Sequence, residues 1–435
     1  MTLSKWLIVC EDTILAIVVV GGGYIGIQFA QDLAKQLNPS QASITLIEKN
    51  DFTFHCVGVP RALVDPTYVK KLFINIAHAL PPTATVLRGI VDEIDGINNA
   101  VVVRPIVNDR AQETTTRVQF DYLVLATGSS YVSPIKVPLH EYTRANVESA
   151  INATAERIKA ASSVLIVGGG PVGIEVAGEI ASASPTKRVT ILDGQNSLVH
   201  NAKLKDEFRA QLTEKLMRLN VHLVLGERLQ LRSSDCMPHA TTFTTDKGTK
   251  IEADMHLLCA GMSPNVDLIR KLDASLLSTT SKGVRVNGAC QVDDPRYSHV
   301  FVVGDASDHP TPKLAYVGGF QAAHVATELA KWVAAGSGNS IKLTPYVPPS
   351  TEGMLIPLGK NVGVGQVPLF GGVVVGNAVI RFIKGHDYFA TTFCSKWRTT
   401  EDGDPILVHG WVRYAMAAAA VVAGTLAAWH FSKSS

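Results

Sequence analysis

Two stretches of this chain carry the residue types from which a diphosphate cradle is built. Ala16-Ile-Val-Val-Val-Gly-Gly-Gly-Tyr-Ile-Gly26 and Val164-Leu-Ile-Val-Gly-Gly-Gly-Pro-Val-Gly173 each run an apolar, β-branched strand into a G-x-G-x-x-G turn. In this pattern the first glycine (Gly21, Gly168) allows the tight turn. The second (Gly23, Gly170) lets backbone approach a pyrophosphate, and the third (Gly26, Gly173) lets the following helix sit close on the strand. The diphosphate then meets free N–H groups at the positive end of a helix. Each copy goes on to a second strand that ends in an acid, Glu48 or Asp193, 22 and 20 residues past the third glycine. An acid at about that distance receives ribose hydroxyls. One such loop is weak evidence, since a glycine-rich turn has other uses. Two loops, each preceded by a strand and closed by an acid, read as a duplicated dinucleotide site.

The elements that must position these loops follow from the pattern of strands. A first block, residues 13–145, begins with the first loop and closes on Phe120-Asp-Tyr-Leu-Val-Leu-Ala126-Thr127-Gly128. The second loop lies in residues 146–265, which close on the similar Met255-His-Leu-Leu-Cys-Ala-Gly261. Strand patterns of the first block resume at Val284-Arg-Val and His299-Val-Phe-Val-Val-Gly304-Asp305, so the second block reads as inserted in the first, which ends over 266–335. Pro312 marks the start of a helix running to about Ala330. After a Gly- and Ser-rich linker, short apolar runs separated by glycine predict a small C-terminal domain over 345–405. The expected fold class is α/β, with two Rossmann-like dinucleotide-binding domains, one inserted in the other, a small α+β domain and a C-terminal hydrophobic helix.

That last helix spans 411–431. Tyr414 to Trp429 contains no charge and would extend about 24 Å, against roughly 30 Å of hydrocarbon, so a crossing borrows Trp411, Val412 and Phe431 and lets Arg413 snorkel. A single-pass tail anchor is the expectation, with the catalytic body facing the cytosol. An Ala-rich helix packed on the body and one lying in the membrane surface are the alternatives. At the other end, Trp6-Leu-Ile-Val-Cys10 is too short for a secretory core and reads as an extension before the fold. Thr2 excludes N-myristoylation.

Composition narrows the class. Forty basic against 38 acidic residues leave a formal charge of +2, with no basic stripe interleaved with aromatics, so no nucleic acid is expected as a partner. The six cysteines show no C-x-x-C and no metal spacing, which points to a reducing compartment and to no metal site.

The two loops, Ala126-Thr127-Gly128 and Val302-Val-Gly304-Asp305 resemble the two-dinucleotide-binding-domain flavoproteins of the pyridine nucleotide-disulfide oxidoreductase superfamily, over about residues 13–330. Lys313-Leu-Ala-Tyr316-Val-Gly-Gly-Phe320-Gln-Ala, Asn361-Val-Gly-Val-Gly-Gln366 and Trp397-Arg-Thr399 are similar to its apoptosis-inducing-factor-like branch and carry the likeness to about residue 400. The resemblance implies FAD on the first loop and Glu48, with Asp305 on ribityl hydroxyls and Thr127, Gly128, Gly304 and Lys313 among the cofactor-binding residues. It implies NADH or NADPH on the second loop, hydride transfer to the flavin, and a quinone as acceptor. Asp193 would repel a 2′-phosphate, so NADH is the expected reductant.

Further roles are expected from the same resemblance. Glu175, two residues past Gly173, would lie close to the reacting rings, although an acid near a helix N-terminus also has a purely stabilising role. Arg61 would either meet Glu175 or stand exposed near the flavin, and is counted with the cofactor-binding residues. Tyr316 and Phe320, four apart on one helical face, either wall a quinone or pack in the core. The dithiol of disulfide reductases is absent, because C-x-x-x-x-C would need a second cysteine at position 61. Cys56 alone leaves a peroxidase or sulfide:quinone chemistry as an alternative, beside ordinary packing of Cys56 and His55. A redox sensor that binds partners when NADH is bound is a further alternative.

Overall fold

The computed structural model describes residues 14–131, 135–229, 241–335, 342–400 and 404. The N-terminal extension and the expected tail helix lie outside the described residues. The described chain falls into two compact units. One runs to Asp51 and adds Ala79–Ser129 and Pro264–Pro348, and the other comprises Phe52–His78, Ser130–Ser263 and the chain from Pro349 on.

The first unit is built on one sheet. Its strands lie in the order Val300–Val302, Tyr122–Leu125, Leu15–Val20, Ala42–Glu48, Ala84–Asp95, Ala100–Val107, Arg110–Ala111, with Thr116–Gln119 also paired to Ala100–Val107. The first five are parallel and the rest antiparallel. Ile17, Val18, Val19 and Val20 are all buried, as a parallel strand covered on both faces requires, and this explains their continuous rather than alternating apolar run. Val18, Val20, Leu123, Leu125, Val300 and Val302 form one core with Ile47 and Val103. The helix Tyr24–Ala34 buries Ile27, Phe29 and Leu33, each contributing roughly 1.5–3 kcal/mol relative to exposure. It packs against the helix Ala315–Ala335, where Gly318 and Gly319 leave room for Ile25 and Gln28. That second helix begins at Ala315, three residues after Pro312.

The second unit repeats the arrangement on a smaller scale. Val221–Leu225, Arg188–Asp193, Ser163–Val167 and Met255–Leu258 form a four-stranded parallel sheet. In both sheets the strand carrying the glycine loop lies between its sequence successor and a strand that comes much later in the chain. The carboxyl end of such a strand is the switch point at which open α/β sheets bind ligands.

Residues 52–78 group with the second unit, and so do those of the expected C-terminal domain. The hairpin Phe52–Phe54 with Phe73–Asn75 is tied to the C-terminal helix Ala390–Lys396, just past which Trp397 Nε1 donates to Thr53 Oγ1 at 2.9 Å. The C-terminal segment itself is a three-stranded antiparallel sheet, Met354–Pro357, Gly363–Val367 and Val373–Val375, followed by short helical turns. Among the described residues no helix is long and apolar enough to cross a membrane.

Candidate active site

In the first unit Gly21 takes φ +111°, and a Cβ there would stand 2.4 Å from Ala126 O. A Cβ on Gly26 would stand 1.9 Å from Gly21 O. Both glycines are therefore demanded by the protein's own packing. Gly23 is different: a Cβ built on it meets nothing within 4 Å, and the same holds for Gly170 in the second unit. At these positions backbone faces open space where a diphosphate would lie, against helices that begin with no side-chain cap and no acid in the first turn. The loops fit the dinucleotides the sequence implies.

The acids hold their loops. Glu48 Oε2 accepts from Gly22 N at 2.5 Å while its Oε1 accepts from Asn50 N and Nδ2. Asp193 repeats this, with Oδ2 accepting from Gly169 N at 2.5 Å and Oδ1 from Gln195 N at 2.7 Å. Gly168 has φ +125°, and Gly173 leaves room for Gly168 O just as Gly26 does for Gly21 O.

The remaining first-unit residues form a second rim. Thr127 Oγ1 donates to Asn265 O, Asn265 Nδ2 donates back to Thr127 O, and Asn265 N donates to Gly128 O. Asp305 Oδ2 accepts from Ser129 Oγ at 2.6 Å, and Gly304, at φ +72°, donates its N–H to the buried Gln321. Asn265 and Ser129 carry no motif of their own and escape a reading by sequence, whereas Gln321 lies in the Lys313-to-Ala322 stretch already singled out. Lys313 Nζ donates to Gly304 O, Ser307 O and His309 O, which latches the loop ahead of the helix Ala315–Ala335. Tyr316 and Phe320 form an edge-to-face pair with centroids 6.1 Å apart and remain 39% and 40% exposed, so neither is a core residue.

The second unit holds a buried charge cluster along the helix Pro171–Ala183. Glu175 lies just past the first turn and is buried, which removes the simple helix-dipole account. Lys384 Nζ donates to it at 2.5 Å and also to Leu355 O. Burial pushes the Glu175 carboxyl up to about 7 against the pull of Lys384. One turn on, Glu179 accepts two parallel hydrogen bonds from Arg61, at 2.8 and 2.9 Å, and a third from Tyr388 Oη at 2.8 Å. Arg61 also donates to Gly385 O and lies 5.2 Å from the centroid of the Tyr388 ring.

This corrects the expectation for Arg61. It meets Glu179 rather than Glu175, is only 2% exposed, and has its fork committed. A buried carboxylate needs a fixed cation, and the two acids four apart on an otherwise apolar helix were the one sequence signal for such partners. Nothing local singles out Lys384 or Tyr388. His55 is a core histidine, its Nε2 donating to Tyr388 O at 2.9 Å, and burial lowers its pKa to about 4. Cys56, beside it, is partly exposed.

A family profile described as "Pyridine nucleotide-disulphide oxidoreductase" matches residues 15–330. Human Ferroptosis suppressor protein 1 is 30% identical over 401 residues, spanning 91% of this chain and 98% of that protein. Apoptosis-inducing factor homolog B of Dictyostelium discoideum is 28% identical over 397 residues, 87% of this chain and 96% of that one. Among solved structures, the sulfide:quinone oxidoreductase of Aquifex aeolicus superposes with a TM-score of 0.67 at 15% identity, covering 88% of this chain and 90% of that chain, a likeness of fold.

Proposed function

Because the chain belongs to the pyridine nucleotide-disulphide oxidoreductase family, we propose that it oxidises NADH or NADPH through FAD and delivers two electrons to a quinone. It is an NAD(P)H-dependent flavin oxidoreductase of the apoptosis-inducing-factor-like kind. FAD, when bound, supplies the acceptor for hydride from the nicotinamide and the donor to the quinone. The observation that carries the reading is the pair of loops whose middle glycines, Gly23 and Gly170, alone among the motif glycines face open space.

The protein's own residues do the rest. Gly21–Gly26 and Glu48 bind the flavin nucleotide, and Asp305, steadied by Ser129, orients its ribityl chain. Gly168–Gly173 and Asp193 bind the reductant. Hydride from the nicotinamide and one proton from solution together reduce a quinone to a quinol. Glu175 is suited to that proton, because a carboxyl near 7 changes state at neutral pH, with Lys384 Nζ donating to it. The exposed Tyr316 and Phe320 offer an apolar wall to a quinone ring. With Arg61 where a second cysteine would stand, no dithiol intervenes between flavin and acceptor. The tail 411–431 would keep the body at a membrane, where lipid-soluble quinones reside.

An anaerobic absorbance titration of the purified protein tests this. We expect flavin bands that bleach with one equivalent of NADH and return when a short-chain ubiquinone is added. Protein that stays colourless after reconstitution with FAD would remove the reading. Bands that bleach but do not return with quinone would remove the acceptor alone and favour an NADH-sensing role.

A further inference from the structure

The motif Asn361-Val-Gly-Val-Gly-Gln366 ends on a side chain that the proposed reaction leaves without a part. Gln366 is fully buried on the strand Gly363–Val367, and its amide is engaged at both atoms. Its Nε2 donates to Glu352 O at 2.9 Å and to Lys203 O at 3.1 Å, while its Oε1 accepts from Lys205 N at 2.9 Å. Lys203 and Lys205 belong to the connection that leads from Asp193 to the helix Asp206–Arg218. A further bond reaches the same connection from the C-terminal segment. Asn201 Nδ2 donates to the buried Glu352 carboxylate, and Asn201 Oδ1 accepts from Lys203 N at 2.9 Å. The C-terminal segment thus grips residues 201–205 at both ends.

Just before this grip the connection meets the glycine loop, where Val199 N donates to Gly169 O at 2.9 Å. Val199 makes that bond at φ +46°, in the left-handed region that a β-branched residue avoids. Strain of this kind lasts only where the surroundings over-determine it, and it gathers at ligand clamps. Here the hold comes from Leu198, Val199 and Leu204, all buried, and from the bonds to Gln366 and Glu352 that follow them. The carbonyl and N–H of one trans peptide point opposite ways, so fixing Gly169 O on Val199 turns the Gly170 N–H away from Val199. Gly170 is the residue at which an added Cβ meets nothing within 4 Å.

We propose that Gln366 is a positioning residue for the reductant: by gripping the connection after Asp193 it keeps Val199 on Gly169 O, and so keeps the Gly170 amide turned toward the diphosphate. The inference rests on the reading of the Gly168–Gly173 loop as the nicotinamide-nucleotide site. It gives the C-terminal segment a part in binding the reductant, through a residue that never touches it. Without the grip Val199 relaxes to negative φ, its N–H leaves Gly169 O, and the loop peptide is free to turn. The effect falls on the diphosphate, away from the reacting ring, so binding rather than hydride transfer should suffer.

Calorimetric binding of ADP-ribose to the FAD-loaded protein tests the proposal without turnover. Gln366→Met, similar in length but without the amide, should weaken ADP-ribose about tenfold and raise KM for NADH in parallel. It should keep kcat at saturating NADH and the flavin-to-protein ratio. Adding Val199→Gly, for which left-handed φ carries no steric cost, should recover part of the lost affinity. If Gln366→Met does not fold, Asn201→Ala, partly exposed at the rim of the grip, must weaken ADP-ribose in the same way. Unchanged ADP-ribose binding, or weakening that Val199→Gly does not relieve, would overturn the proposal. A fall in kcat and flavin content equal to the loss of affinity would also overturn it and make Gln366 a packing residue only. Failure of wild type to bind ADP-ribose would instead remove the nucleotide reading of the loop, and the proposal with it.

Discussion

At the scale of single residues, two buried titratable groups in the second unit work against each other. Glu175 has its carboxyl raised from 4.5 to about 7 by burial, so the stability linked to it is present below 4.5 and is lost as pH rises toward 7. His55 has its pKa lowered from 6.5 to about 4, also by burial, so its contribution is present above 6.5 and is lost as pH falls toward 4. Each shift corresponds to about 3 kcal/mol across its window. Between pH 4.5 and 6.5 the two slopes oppose and largely cancel. His55→Gln should therefore unmask the glutamate, giving a protein that loses stability from about pH 5 to about pH 7. Glu175→Gln should unmask the histidine, giving one that gains stability over the same range. Denaturant midpoints measured on both variants and wild type decide this. Parallel profiles for all three would show that neither group is buried in the state described.

At the scale of elements, the glycine loops separate what the fold needs from what the ligand needs. Gly26→Ala drives a Cβ to 1.9 Å from Gly21 O, backbone against backbone, and should cost about 3 kcal/mol of stability with or without FAD. Gly23→Ala meets nothing and should leave the apo-protein within about 0.5 kcal/mol of wild type, while FAD affinity drops about tenfold or more because the methyl occupies diphosphate space. Thermal unfolding of the apo-forms together with the flavin-to-protein absorbance ratio after purification separates the two. Equal loss of stability in both would mean that Gly23 is not an open cradle. These positions were legible in the sequence because the interactions are encoded within one strand–turn–helix, from Gly21 to Glu48 or Gly168 to Asp193. Arg61, Lys384 and Tyr388 were misplaced or missed for the opposite reason. Their partners on the helix Pro171–Ala183 lie 118 and 209 residues away in sequence, and no local pattern announces a pairing at that distance. The grouping of residues 52–78 with the second unit has a related cause, since the hairpin at Phe52–Phe54 is held by Trp397, far along the chain.

At the scale of the whole molecule, the question is how a protein with a formal charge of +2 would find a lipid-soluble acceptor. So small a net charge gives little long-range attraction to an anionic surface, so any membrane association must come from apolar insertion. The uncharged run Tyr414–Trp429 would be one source of it. A second lies on the second unit, where Phe370 and Phe382 stand 97% and 87% exposed, well beyond what scattered surface hydrophobics need to be. We expect the tail to dominate, because sixteen uncharged residues, if inserted, would bury far more surface than two rings. A chain ending at Thr400 should keep its flavin and its turnover of a short-chain quinone. It should lose co-flotation with phosphatidylcholine vesicles and turnover of a long-chain quinone embedded in them, and full-length flotation should be indifferent to added salt. If the shortened chain still floats, and Phe370→Ser with Phe382→Ser then releases it, the aromatic pair carries the attachment and the tail does not. If instead the shortened chain cannot hold FAD, the tail packs on the body as an Ala-rich helix and anchors nothing.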